Sequence, residues 1–249
     1  MGAGAFSSEP VSVTLSAEAR RLLLTRLHLS GDAELLHALG ALGVTSLHSG
    51  REVWRQHARM EAEELLRRIA LQKPLPQMVC GCPSWSEHLS AHKPEWAELV
   101  CRAPFALVDD AGKRQALVTG CATRGAWLKT RTGVAAYAAG ELASRLIEVS
   151  EAPKVTASLR PARRGERLRD VMAHAVRLQT GASPKAGFLP LRAASSPFVL
   201  EGELSLGGRE IRVAAISGVE NAMRYLCGVM DGQRVCHLME VSACATCRA

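Results

Sequence analysis

Residues 77–85 read QMVCGCPSW, and the parsing of the whole chain turns on this stretch. Gln77 to Cys80 forms a short strand that runs straight into a C-G-C-P-S-W loop, so thiols arrive at a strand's carboxyl end. The arrangement recurs twice. Ala116 to Val118 is a strand delivering Cys121, and the strand predicted over Val235 to Val241 delivers Cys244 and Cys247 in the terminal HLMEVSACATC. Ligands in open α/β architectures collect outside the carboxyl ends of strands. Three strand ends bearing cysteines therefore point to one shared site and to an α/β fold.

Val11 to Leu15 alternates as a strand, followed by a helix over residues 17–29 that opens on Ser16 as N-cap. Residues 32–42 are predicted helical, and Gly43 introduces a second strand, VTSL. The longest helix is expected over Gly50 to Ile69, with Val53, Trp54, Met60, Leu65 and Ile69 available for its buried stripe. Residues 87–100 read as a helix despite Pro94, and 107–108 with 116–118 read as a hairpin or strand pair about an Asp-Asp-Ala-Gly turn. Val134 to Tyr137 is a strand and Glu141 to Val149 a helix. Residues 150–165 are rich in Pro and Arg without period and read as a flexible loop. Beyond them come a helix over 168–180, a hairpin of 198–206 with 211–216 around Gly207-Gly208, and a helix over 219–230. A lobe boundary near residue 130 gives an N-terminal lobe of 1–130 and a C-terminal lobe of 131–249.

The chain has 249 residues, 47% of them hydrophobic and 22% charged, which is the balance of a globular protein. No apolar run nears the roughly 20 residues of a membrane span. The N-terminal MGAGAFSSEPVSVTL does not read as a secretory signal, which favours a reducing compartment, either cytoplasm or an organelle interior. The net charge is +7, but the basic residues are mostly scattered among glutamates on helices. The exception is Arg160 to Arg169, RPARRGERLR, a candidate patch for an acidic protein partner or nucleic acid. Stacking aromatics are absent from it, so the nucleic-acid reading is the weaker one.

Eight cysteines in a reducing compartment point to metal or redox chemistry rather than to structural disulfides. A cluster or zinc ion needs about four thiolates converging from loops, and local pairs lower the ordering cost. Cys82, Cys121, Cys244 and Cys247 satisfy that description. Spacing alone leaves zinc and iron–sulfur open, and Cys80 in place of Cys121 gives an alternative zinc set. Cys101, Cys227 and Cys236 lie in apolar contexts and read as inert core residues. His88 and His92 stand at i, i+4 without the acidic neighbour of a metal motif, and read as surface residues.

These residues carry a resemblance to a known family. MVCGCPSW followed by Pro94-Glu95 resembles the first cluster-binding segment of the FeFe hydrogenases, where Cys-Cys-Pro-Gly-Trp precedes a helix with Tyr-Pro-Glu. The stretch LGALGVTSLHSGREVWRQHARMEAEELLRRI is similar to that family's Leu-Gly-Phe strand and Glu-Glu-containing helix. CRAP, TGCATRG, residues 136–146 and HLMEVSACATC resemble its later segments, in the same order. The resemblance implies a two-lobed α/β catalytic domain of small sheets flanked by helices, with a cleft site. It also implies a 4Fe-4S cluster held by Cys82, Cys121, Cys244 and Cys247, with Arg124 at the position of a lysine that contacts a cyanide ligand.

The departures cluster at the family's two-iron unit. Gly81 stands where a cysteine relays protons, Ala103 and Phe105 replace Ser and Gln, and Thr119 and Ser242 replace methionines. The last pair is spaced C-x-x-C instead of C-x-x-x-C. Arg for Lys is not conservative in a tight pocket. Glu61 and Glu64, at i, i+3 on one helix, correspond to the family's outer proton path, but a relay without its inner acid has nowhere to deliver a proton. A surface charge pair with neighbouring arginines accounts for them equally well. The expectation is a one-cluster protein without hydrogenase activity and without the two-iron subcluster, exchanging electrons with a protein partner, sensing redox state or serving in a complex. An active minimal hydrogenase and a zinc-stabilised structural protein are the alternatives.

Overall fold

The computed structural model describes residues 11–79, 82–101, 114–150, 164–194 and 196–243. It divides into two compact units, one of Met1–Trp54 and Phe105–Arg160, the other of Arg55–Pro104 and Pro161–Ala249. The single cut near residue 130 is therefore not the observed division. Parallel strands must be joined by crossovers, so sheet neighbours come from distant parts of the sequence and each unit is assembled from two stretches.

The strands are β1 (Val11–Leu15), β2 (Val44–Ser49), β3 (Gln77–Met78), β4 (Arg114–Thr119), β5 (Ala135–Ala138), β6 (Arg192–Ala193), β7 (Val199–Leu206), β8 (Arg209–Ser217) and β9 (Leu238–Ser242). The helices are α1 (Ala17–Arg26), α2 (Asp32–Gly40), α3 (Arg51–Ala70), α4 (Pro83–His92), α5 (Ala122–Thr132), α6 (Ala139–Ser150), α7 (Glu166–Thr180) and α8 (Val219–Met230), with a 3-10 helix at Pro94–Leu99.

In the first unit β2, β1, β4 and β5 form an all-parallel sheet in that order. Val11, Val13 and Leu15 of β1 are buried with Leu22 and Leu23 of α1, Leu35 and Leu39 of α2, and Leu142 and Leu146 of α6. Ser16 caps α1 as expected, its Oγ accepting from the Ala19 N–H at 3.1 Å. β4 has parallel neighbours on both sides, so it has no free edge for the expected hairpin. Residues 107–108 lie outside the described part of the chain, as does most of the expected loop at 150–165.

The second unit carries a mixed sheet ordered β3-β9-β8-β7-β6, with β9 parallel to both β3 and β8. The hairpin of β7 and β8 closes through Gly207 and Gly208, at φ +59° and +76°. A two-residue turn of the twist-compatible type needs positive φ at both positions, which is why two glycines stand there. Alternation sends Val213 and Leu238 into a core with Ala58, Ala62 and Leu65 of α3 and Leu168, Val171 and Met172 of α7. It sends Ala214, Ile216, Met239 and Val241 into a second core with Trp85 and Leu89 of α4 and Ala222 and Leu226 of α8.

Two helix expectations need correction. The helix expected over 87–100 is two elements, because Pro94 lacks an N–H and breaks α4 from the 3-10 helix after Lys93. α4 also begins earlier, at Pro83. The buried stripe of α3 is Val53, His57, Ala58, Glu61, Ala62 and Leu65, while Trp54, Met60 and Ile69 are only half-buried. Two polar residues thus occupy the buried face.

Gly50 N donates to Leu15 O at 2.6 Å, and a Cβ there would run into that carbonyl group. The obstacle is backbone and cannot swing away. Gly50→Ala is expected to destabilise the protein by about 2 kcal/mol, measured as a lower urea midpoint at unchanged m-value.

Candidate metal centre

β3 and β9 run in parallel with Gln77 opposite Leu238 and Met78 opposite Met239, and the Val79 N–H continues the ladder to Met239 O at 2.9 Å. Their carboxyl ends therefore leave the sheet side by side. One end leads into the segment that reaches Cys82, the other through Ala243 towards Cys244. The two segments meet: the Ala243 N–H donates to Cys82 Sγ at 3.4 Å. Cys80, Gly81, Cys244 and Cys247 themselves lie outside the described residues.

Cys82 is the N-cap of α4, with Pro83 in the first helical position, where its fixed φ is already helical. The Trp85 and Ser86 N–H groups close the first turn on Cys82 O at 3.1 and 3.3 Å. Trp85 in turn donates from Nε1 to Met78 Sδ at 3.1 Å, pinning the start of α4 to the end of β3. The half-buried Cys82 sits at the positive end of a helix dipole, which suits a negatively charged metal–thiolate group.

In the first unit Cys121 repeats the pattern. It follows β4 after Gly120, is half-buried, and is the N-cap of α5. Thr119 Oγ1 donates to Cys121 O at 2.6 Å. Arg124, one turn into α5, lies over the Trp54 ring at 5.6 Å and 3.7 Å from Glu18 Oε2. Its guanidinium is thus held by an aromatic face and a carboxylate.

Glu61 and Glu64 prove unlike each other. Glu64 is partly exposed and hydrogen-bonded to Arg68 at 2.8 Å and to Arg67 at 2.7 Å, the surface pairing expected of it. Burial alone would raise its pKa, but the hydrogen bonds from Arg68 and Arg67 outweigh it and hold the carboxyl below its ordinary value. Glu61 is not a surface residue at all, being 0% exposed. Arg167 Nη2 of α7 lies 2.6 Å from Glu61 Oε2 and also bonds His57 Nδ1, while His57 stands 3.6 Å from the same carboxylate. As a cation Arg167 only donates, so in this contact the imidazole Nδ1 of His57 is the acceptor. Gln77 Nε2 donates to Glu61 O at 2.7 Å, tying this group to β3.

Neither His57 nor Arg167 was singled out from the sequence. His57 was legible, because Val53, His57, Glu61 and Leu65 recur every four residues. Arg167 was read instead as part of the basic patch Arg160 to Arg169. In the described part of that run, Arg164 donates to Pro197 O at 2.5 Å, Arg167 binds Glu61, and Arg169 reaches Arg164 O at 3.4 Å, so all three are half-buried and bonded to acceptors of the chain itself.

Of the remaining cysteines, Cys101 and Cys236 are buried, whereas Cys227 is half-buried on α8. Burial pushes the Cys236 thiol up to about 12, which keeps it an inert core residue. His88 and His92 stack on each other at 4.3 Å. No group of three or more His, Cys, Asp or Glu capable of holding a metal occurs among the described residues. Nor is any described helix long and apolar enough to cross a membrane.

The architecture matches solved FeFe-hydrogenase structures. Apo FeFe-hydrogenase HydA1 from Chlamydomonas reinhardtii, in a variant form, aligns with a TM-score of 0.73 at 17% identity, over 98% of this chain and 79% of that one. A second HydA1 variant from the same organism gives 0.72 at 15% identity over the same shares. HydA(deltaEFG), from work on stepwise assembly of the H-cluster, gives 0.72 at 17% identity over 95% of this chain and 77% of that one. No protein-family model matches the chain, and no curated protein matches it significantly. The chain therefore has the FeFe-hydrogenase fold, as the resemblance implied, at an identity that speaks to the fold alone.

Arg167 is the charged partner of a buried carboxylate, and removing it should cost about 3 to 5 kcal/mol. Arg167→Met should lower the denaturation midpoint accordingly, and adding Glu61→Gln should recover a large part of the loss. Equal midpoints for the single and double variants would show that the pair is not coupled.

Proposed function

We propose that this protein is an FeFe-hydrogenase-like iron–sulfur protein, holding one 4Fe-4S cluster through Cys82, Cys121, Cys244 and Cys247 and handling single electrons without hydrogenase activity. The observation that carries the proposal is the hydrogen bond from the Ala243 N–H to Cys82 Sγ, because it joins two of the cysteine-bearing segments at one end of a sheet. The donor set fits the group: thiolates are the ligands of iron–sulfur clusters, and two of the four stand at helix N-caps. A further sign of fit is Ser217 at the end of β8, buried to 1% exposure, whose Oγ makes no hydrogen bond among the described residues.

The cluster would supply reversible one-electron chemistry. The chain's part is to hold it, to offer N–H groups to its sulfurs and to keep water from it. Hydrogen chemistry needs more. Gly81 has no proton to give, and Glu61 is engaged by Arg167. A protein partner for electron exchange or assembly belongs to the same proposal. Its docking is not assigned to Arg164, Arg167 or Arg169, which serve internal acceptors.

Protein purified without oxygen should contain about four irons and four sulfides per chain, the composition of a 4Fe-4S cluster. Cys82→Ser and Cys244→Ser should each lose it. Zinc without sulfide would overturn the proposal in favour of a structural zinc site, with Cys80 as the candidate fourth ligand. Sustained hydrogen evolution with a strong reductant, after a synthetic two-iron cofactor is supplied, would overturn its non-catalytic half.

A further inference from the structure

The hydroxyl of Ser217 is a buried polar atom without a hydrogen-bond partner among the described residues, at the end of the sheet where the cysteine-bearing segments leave it. Ser217 ends β8 and pairs in register with Ser242, the last residue of β9 and two positions before Cys244. The backbone groups around it are committed. Its N–H donates to Phe198 O at 2.9 Å, its carbonyl accepts from Asn221 Nδ2 at 2.9 Å, and the next N–H, of Gly218, donates to Ser242 O at 2.8 Å. Only Oγ is left over, at 1% exposure. Buried hydroxyls are nearly always satisfied, since leaving one unpaired forfeits its hydrogen bond to water without a replacement.

The position narrows what the partner is. Ser217 lies at the carboxyl end of a strand whose neighbour runs on through Ser242 to Ala243, and Ala243 already donates its N–H to the thiol of Cys82. Donors are thus gathered at this end of the sheet, and the partner they call for is an acceptor. Ser242 adds a second hydroxyl in register with the first, where the resembled family carries a methionine.

We propose that Ser217 is a positioning and tuning residue whose hydroxyl donates a hydrogen bond to anionic sulfur, a cysteine thiolate or an inorganic sulfide, of the group held by the cysteine loops. The inference rests on the one-cluster reading above. A hydrogen bond to such sulfur stabilises the more negative, reduced state more than the oxidised one, and so raises the reduction potential. The hydroxyl neither gains nor loses its proton in the process.

The test uses the full chain purified without oxygen, with iron, sulfide and midpoint potential measured for the native protein, Ser217→Ala and Ser217→Thr. The expected result is equal iron and sulfide in all three. The Ala variant should have a lower potential, by about a tenfold change in the reduction equilibrium, or about 59 mV for one electron, and Thr should keep the native value. Loss of the cluster in the Ala variant with retention in the Thr variant also supports the role, since only the hydroxyl distinguishes them in kind. A full cluster with unchanged potential in the Ala variant overturns it, the hydroxyl then serving an internal water. Equal loss of the cluster in both variants overturns it too, because the requirement is then steric. Absence of iron and sulfide from the native protein is a separate outcome, which overturns the one-cluster reading itself.

Discussion

The parallel placement of β9 between β3 and β8 is the constraint on which the second unit depends. Parallel neighbours share a direction, so whatever follows β3 and whatever follows β9 must emerge at the same end. That geometry brings the segment bearing Cys82 against Ala243, and it sets the end of β8, with Ser217, beside the end of β9. The faces of the sheet follow from the same pairing. Because Val213 lies opposite Leu238 and Ile216 opposite Val241, a slip of one residue would exchange the α3–α7 core with the α4–α8 core.

The group of His57, Glu61 and Arg167 shows how one helix can put similar residues to different ends. α3 keeps two carboxylates at i, i+3, but they serve different physical tasks. Glu64 faces arginines of its own helix and is partly solvated, so its pairing contributes little to stability. Glu61 is wholly buried, and a buried carboxylate persists only when paired and hydrogen-bonded. Arg167 supplies the charge from α7, and His57 and Gln77 complete the surroundings. Glu240 of β9 meanwhile accepts the Leu168 N–H at 2.9 Å at the start of α7, so helix and sheet are joined by polar as well as apolar contacts.

Local signals in the sequence were sufficient for most elements. The Gly207-Gly208 turn, the Ser16 cap and the periodicity of α7 and α8 act over a few residues, and those elements lie where the sequence places them. The start of α4 was missed although its signals are local, with Cys82 at the N-cap and Pro83 in the first turn. Its end was missed because apolar spacing continues past Pro94 while the backbone hydrogen bonds do not. The candidate cysteines were legible by spacing, and two of their segments are in contact.

What the sequence alone determined is most of the strands and helices and the cysteine-bearing strand ends, though not α5 or β6, because periodicity, caps and turn residues are properties of neighbouring positions. Tertiary structure decided which strands are neighbours, and hence that two units interleave along the chain instead of meeting at residue 130. It also decided that Glu61 is buried against Arg167, that Arg164, Arg167 and Arg169 bond to acceptors of the chain itself, and that the Ser217 hydroxyl is left without a partner among the described residues. Each of these depends on what lies across a packed interface from the residue. Pairing is a relation between residues far apart in sequence, and no local pattern encodes it.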